Sequence, residues 1–315
     1  MFPGDTIYSF VLICQVCIGV MANSLLFLIY AYTFLIQPHL RKLIDSIFMH
    51  LTMANILTIM FQSIPHIMSS FRVKDFLDNI GCQTFLYLYR VTRGLSICTT
   101  SLLSVFQAIT VSPSHSKWAW LKSQLSKWIL PSLLSFWVIN MLIYTSIIVT
   151  VRARSNYTIV GTKFVHAYCQ TKTFHDRITG LFESVIVIHD VLFMLLMIGS
   201  SLYMVFILYR HRRRARHIHS LTHSSESSAE NKATRTILST VLCFVLFYVA
   251  NNFVTFYALY SHEKNARLVG ITGLLSSCYP AFCPFLLMKN NKIISKMTSS
   301  IAMMQITFSP RPFGG

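Results

Sequence analysis

Two arginines, Arg90 and Arg93, stand inside a stretch from Cys82 to Pro113 that is apolar enough to cross a bilayer. At mid-membrane each arginine is disfavoured by about 2.5 to 3.5 kcal/mol on insertion scales, so two in one span ask for partners, water or a ligand. Spaced i to i+3, they fall within about 60° of each other on one helical face and act as a patch. Such a patch can pair with an acid on a neighbouring helix, or it can hold an anionic, acceptor-rich ligand. Arg90, the one nearer the surface, can also snorkel.

Counting along helices at about 1.5 Å per residue puts Arg93 about 16 Å below Cys82 and Asp190 about 13 Å below Leu181. The two depths match, which makes Asp190 the acid in question. Asn251 and Asn252 lie about 22 Å from the opposite end of their span at Thr236, in the same half of the membrane. Together with Tyr89, Tyr257, Glu183, His189 and His66, these residues are expected to line a polar cavity.

Reaction chemistry is not indicated. The chain has no Gly-rich phosphate loop, no H-E-x-x-H, no G-x-S-x-G and no paired acids within one segment, so an enzyme is not expected. Neither is a metal or other cofactor. His217, His219 and His223 have no carboxylate or thiol arranged with them, and Cys14 and Cys17 form a lone C-x-x-C in an apolar span.

The elements that must position the patch follow from composition. Of 315 residues 54% are hydrophobic and only 12% charged, with a mean hydropathy of +0.55, too little polar surface to coat a soluble globule. Seven stretches reach the roughly 20 residues that a bilayer crossing needs, at about 8–33, 43–70, 80–112, 128–151, 181–209, 236–261 and 268–288. Backbone polar groups in lipid must be satisfied internally, so each is a helix. The expected fold is all-α, a seven-transmembrane helix bundle forming one domain, with residues 289–315 as a cytoplasmic tail.

Lysine and arginine number 16 in the segments that an outside amino terminus places inside and 9 in those it places outside; Arg90 and Arg93 complete the chain's 27. The sequon Asn156-Tyr157-Thr158 falls in a loop that the same topology puts outside, making Asn156 a glycosylation site. The first span is expected to act as a signal anchor. The formal charge of +17 suits anionic membrane lipid, and nucleic acid is not an expected partner. Residues 210–235 read as a short mobile connector, with Arg212, Arg213 and Arg214 available to a cytoplasmic partner. Beyond Met288, Ile293, Ile294, Met297 and Ile301 share one face and suit a short interfacial helix. No strand pattern is apparent. Of eight cysteines, six lie inside spans. Cys82 and Cys169 both face the oxidising side, where a disulfide is expected to tether the loop over the bundle.

The run from Tyr89 through Arg93-Gly94-Leu95-Ser96 to Thr100, followed by Leu102 to Pro113, resembles the vomeronasal type 1 receptors, a pheromone receptor family of G protein-coupled receptors. His50-Leu51-Thr52-Met53-Ala54-Asn55, Ala233-Thr234-Arg235-Thr236 and Ser277-Cys278-Tyr279-Pro280-Ala281-Phe282-Cys283-Pro284 support it, and the resemblance covers nearly the whole chain. It implies a receptor in the plasma membrane of vomeronasal sensory neurons, with a small pheromonal ligand such as a sulfated steroid and an inhibitory-class heterotrimeric G protein as partner. Gln107 sits where rhodopsin-like receptors carry an Asp-Arg-Tyr arginine, at the end expected to face that G protein. Asn55 replaces an acid, Cys283-Pro284 stands for Asn-Pro and Leu287 for a tyrosine, so neither the usual ionic lock nor the sodium site carries over. A bitter-taste receptor is the alternative within receptors, and a secondary transporter the alternative outside them. Replacing Asn156 by Gln is expected to remove one glycan, read as a faster-migrating band that glycosidase no longer shifts.

Overall fold

The computed structural model describes residues 3–36, 43–71, 73, 76–113, 119–153, 162–164, 169–172, 177–217, 225–260 and 266–288. The elements are α1 (Pro3–Ile36), α2 (Leu43–Ser70), α3 (Asn79–Val111), α4 (Ala119–Ile143), α5 (Ser146–Thr150), β1 (Val151–Ala153), β2 (Thr162–Phe164), β3 (Cys169–Lys172), α6 (Arg177–His217), α7 (Ser225–Tyr260) and α8 (Ala266–Met288). Seven apolar stretches within them are long enough to cross a membrane, the fourth running from Lys127 through α4 into α5.

Helix α3 is the axis. Its start is fixed by Asp78, whose side chain accepts from the Gly81 N–H at 2.7 Å and so satisfies one orphan donor of the first turn. Within its apolar stretch 78% of residues are buried, against at most 44% for any other spanning helix. It is packed by α2, α4, α6 and α7 and lies under β1. Lipid is as apolar as leucine, so hydrophobicity alone cannot draw helices together, and small residues and interhelical hydrogen bonds must do so. The sequence of α3 supplies both. Its buried positions include Thr92, Gly94, Ser96, Thr99, Thr100, Ser101 and Ser104, while α1, α4, α6 and α7 turn leucine, isoleucine, valine and phenylalanine outward.

Two prolines in α8 illustrate how a backbone defect becomes a contact. Pro284 has no N–H, so the carbonyl of Pro280 lacks its helical donor. Asn23 of α1 fills that place, donating from Nδ2 to Pro280 O at 2.9 Å and to Gly19 O at 2.8 Å. Asn55 of α2 donates to Asn23 Oδ1 at 3.5 Å and accepts from Ser96 of α3 at 2.8 Å. Four helices are thereby joined through two buried amides, the structural role that mid-membrane asparagines suggest.

A second junction ties α2, α3 and α4. Trp137 Nε1 donates to His50 Nε2 at 3.0 Å, so that nitrogen is the acceptor and Nδ1 carries the proton, donating to Thr99 Oγ1 at 2.9 Å. Thr99 in turn donates to Leu95 O at 2.6 Å. Little more than a turn away on α3, Gly94 lies beneath Asn140 of α4. A Cβ on Gly94 would collide with Asn140 Oδ1, a fully buried oxygen that has no N–H or O–H partner among the described residues.

Three findings differ from the sequence reading. A three-stranded antiparallel sheet, in the order β1-β3-β2, is present, with Val151 opposite Thr171 and Phe164 opposite Gln170. Strands of three or four residues are too short for a period of two to register, and their pairing is non-local. The Cys82–Cys169 disulfide, with Cα atoms 5.7 Å apart, fixes β3 against the start of α3 as expected. The Ala153 N–H donates to Asn79 Oδ1 and Gln83 Nε2 to Val151 O, pinning β1 there too.

The connector at 210–235 is largely helical, since α6 continues to His217 and α7 begins at Ser225. Extending an existing helix adds one hydrogen bond per residue without a new nucleus, so polar sequence can follow. Gln107, read as facing a G protein, is only 4% exposed and enclosed in the bundle. Asn156 and the interfacial segment after Met288 lie outside the described residues. Gly94→Ala is expected to overpack the α3–α4 contact by about 1 to 3 kcal/mol, lowering the thermal midpoint in detergent, and Asn140→Ala in the same chain to restore most of the loss.

Candidate ligand-binding site

A crevice opens between α2, α3, α7 and α8, lined by Thr58, Arg93, Ser96, Phe244, Phe247, Tyr248, Asn251, Leu275, Ser276, Tyr279 and Pro280. Its α7 wall follows from spacing: residues 244, 247, 248 and 251 recur at i, i+3, i+4 and i+7 and so share one helical face. On α8, Leu275 and Ser276 stand one turn from Tyr279 and Pro280. On α3, Arg93, Ser96 and Thr100 continue one polar stripe downward. The walls are aromatic and apolar, with Arg93 the one full charge among them.

The guanidinium of Arg93 lies over the Tyr248 ring, Cζ 5.3 Å from its centroid. Among the described residues no carboxylate oxygen comes within 4.0 Å of it. Asp190, the acid matched to it by depth, is instead engaged by other donors. Tyr248 Oη donates to Asp190 Oδ2 at 3.1 Å, and His189 Nδ1 to Asp190 Oδ1 at 3.2 Å. A carboxylate can only accept, so His189 Nδ1 bears the proton and Nε2 faces the Cys98 sulfur at 3.6 Å. Asn140 Nδ2 also reaches that sulfur, at 3.6 Å.

Opposite Arg93, the Ser276 hydroxyl lies 3.1 Å from the Asn251 side-chain amide and 2.6 Å from the Thr272 carbonyl, so its one proton is shared between them beside a residue that is 6% exposed. Below the crevice Thr100 and Tyr279 hydroxyls meet at 2.8 Å. Thr100 spends its proton on Ser96 O at 2.7 Å, so Tyr279 is the donor between them. Further along, Ser104 meets the hydroxyls of Ser200 and Ser201 at 2.7 and 3.3 Å, and Ser112 that of Tyr203 at 2.9 Å. Hydroxyl contacts thus link α3 to α8 and α6 from the crevice down to its far end.

Of the residues read from sequence as ligand contacts, the structure brings Arg93 and Asn251 to the crevice, with Asp190 held behind Tyr248. Asn252 is about 100° further round α7 and donates to the Tyr248 carbonyl. Tyr257 is 60% exposed on the outer face of α7 and does not join the cluster. Tyr89 is 4% exposed in the core beside the disulfide, and Arg90 caps its ring with Cζ 5.9 Å from the centroid. His66 packs against Gly273, outside the lining. The side chains of Glu183, Arg212, Arg213 and Arg214 lie outside those described. Sequence reasoning missed Phe244, Phe247 and Tyr248, although their shared helical face with Asn251 was the available signal.

The free space in the crevice is about 30 Å³. That is room for a water or two, whereas sites for small organic ligands run to hundreds of Å³. This conformation is closed around Arg93, with no room for a molecule larger than a few atoms. Tyr279→Phe is expected to weaken the α3–α8 contact by about 0.5 to 1.5 kcal/mol, measurable as a lower thermal midpoint in detergent, while leaving the Thr100 bond to Ser96 in place.

The model of the vomeronasal organ pheromone receptor family matches residues 6–300. The chain is 34% identical over 307 residues to vomeronasal type-1 receptor 3 of Homo sapiens, covering 95% of this chain and 96% of that protein. It is 36% identical to vomeronasal type-1 receptor 4 of Pongo pygmaeus, over 88% of this chain and 92% of that one. With olfactory receptor class A-like protein 1 of Danio rerio it shares 30% identity, over 91% and 90% of the two chains. These similarities do not favour the bitter-taste or transporter alternatives.

Proposed function

The chain belongs to the family of vomeronasal organ pheromone receptors, a family of receptors rather than enzymes, and from that premise we propose that its ligand is a small amphipathic anion held by Arg93. It is a multi-pass membrane protein and a chemosensory G protein-coupled receptor, which implies a small-molecule ligand and G protein coupling in general terms. The observation that carries the proposal is the guanidinium of Arg93, set in an aromatic crevice with no carboxylate within 4.0 Å among the described residues. A desolvated guanidinium favours an anionic partner, and its planar fork suits the oxygens of a sulfate or carboxylate. Phe244, Phe247 and Tyr279 offer flat apolar surface to the rest of the molecule. A sulfated steroid has that combination of a rigid apolar body and one anionic end.

In this reading the disulfide end faces outward at the plasma membrane of vomeronasal sensory neurons. The lysine and arginine bias, the tether at Cys82 and the Asn156 sequon all support that orientation. The opposite end, where α6 carries Arg212, Arg213 and Arg214 past the membrane, meets an inhibitory-class G protein. The hydroxyl contacts along α3 are the physical link between the two ends. A ligand shifts the resting and active populations only by the difference in its affinity for them, at about 1.4 kcal/mol per tenfold.

The test is a dose-response assay in cells that express the receptor with an inhibitory-class G protein, using sulfated steroids and their unsulfated parents. Sulfated members are expected to signal and the parents not. Arg93→Ala is expected to raise the half-maximal concentration by about tenfold or more, the scale of a lost hydrogen bond to a charged group, at unchanged surface expression. Arg93→Lys should recover part of the response. Wild-type potency in Arg93→Ala would overturn the anionic site.

A further inference from the structure

The polar contacts around Asp190 close into a ring. Arg93 of α3 lies on the face of Tyr248 of α7 at 5.3 Å, and Tyr248 donates to Asp190 of α6 at 3.1 Å. Asp190 takes its second hydrogen bond from His189 at 3.2 Å, and His189 returns to α3 at Cys98, 3.6 Å away and five residues beyond Arg93. Asp190 and His189 are 8% and 7% exposed, so neither has water to fall back on. Removing a donor from a buried carboxylate strongly disfavours the structure that held it, and each link therefore supports the next.

Tyr248 is the hinge of this ring because it serves two charges at once. Its ring face meets the Arg93 cation and its hydroxyl meets the Asp190 anion, so it separates the pair while each still feels the other. The remaining packing gives the ring mechanical weight. Helix α7 packs chiefly on α8 and only lightly on α3 and α6. The Tyr248 to Asp190 bond is a polar tie between α7 and α6 at a level where both helices otherwise turn apolar side chains to lipid.

We propose that Arg93, Tyr248, Asp190 and His189 form a latch that holds α7 against α3 and α6 in the resting receptor, with Asp190 as a built-in anion and Tyr248 as the positioning residue between it and Arg93. An arriving anion competes with this internal one. As it takes Arg93, the Tyr248 ring is displaced from the guanidinium, the bond to Asp190 breaks, and α7 is freed to part from α3. Opening the crevice and releasing the latch are then one event, in keeping with the small volume of the closed form. The latch rests on the proposed Arg93 site for the identity of the key, but the ring itself stands on this chain's own contacts.

The experiment needs no ligand for its first readout: agonist-independent nucleotide exchange on the G protein, divided by surface receptor, in Tyr248→Phe, Asp190→Asn and the double variant. Tyr248→Phe keeps the ring and loses only the hydroxyl. Each single variant is expected to raise basal exchange about threefold or more, the scale of one lost hydrogen bond, and the double variant to match the singles because all three break the same link. Basal exchange at or below the wild-type level in either surface-expressed single variant would overturn the latch, as would a double variant equal to the product of the singles. If Tyr248→Phe fails to reach the surface, Asp190→Asn decides; if both fail, the ring is a folding element and the latch is wrong. Raised basal exchange together with an Arg93→Ala response to sulfated steroid at wild-type potency keeps the latch and removes the anionic ligand. Unchanged basal exchange with loss of that response does the reverse.

Discussion

Everything in this bundle answers to one constraint: a polar group placed in hydrocarbon must find its partner inside the protein. Helix α3 places the most such groups, and its neighbours are arranged around them. Ser96 finds Asn55, Thr100 finds Tyr279, Ser104 finds Ser200, and Thr99 finds His50, which is itself held by Trp137. In a soluble protein these hydroxyls would add little to a hydrophobic core. Here the apolar residues point to lipid on most helices, and the polar contacts specify which helix faces which.

The same constraint explains why the unusual residues are where they are. Proline in α8 leaves a carbonyl without its donor, and an asparagine from α1 supplies one. Glycine in α3 lets α4 come close enough for Asn140 to reach Cys98, with its oxygen laid over Gly94 where any Cβ would collide. The arginine is the extreme case. Among the described residues no acid is placed directly on it, and its charge is met instead by the aromatic face of Tyr248 and, beyond that ring, by the Asp190 carboxylate that Tyr248 and His189 hold.

Much of this was legible in the chain. Seven apolar stretches, two cysteines left over on one side, and the depth match between Arg93 and Asp190 needed only length and helical rise. Rotation was not legible from depth alone. Asn251 and Asn252 sit at nearly the same height, yet about 100° apart, so one lines the crevice and the other folds back on its own helix. Tyr257 has the right depth on the wrong face. Tyr248 looked like one aromatic residue among many in α7, and only the register of three helices reveals that it stands between the two charges. The small sheet escaped for another reason: strands of three or four residues carry no period, and their pairing spans a disulfide loop.

The narrowness of the crevice has a bearing on sensitivity that is separate from contacts. A receptor whose binding-competent form is a minor population presents every ligand with an apparent affinity reduced by that fraction. With the ligand seated as proposed, sequence changes far from the lining, at the α3–α4 glycine contact or the α8 prolines, would tune detection threshold for all ligands together, while changes at residues such as Phe247 or Asn251 would sort one ligand from another. Threshold and selectivity become separately adjustable, so one fold can drift between a sensitive detector and a discriminating one without rebuilding its site.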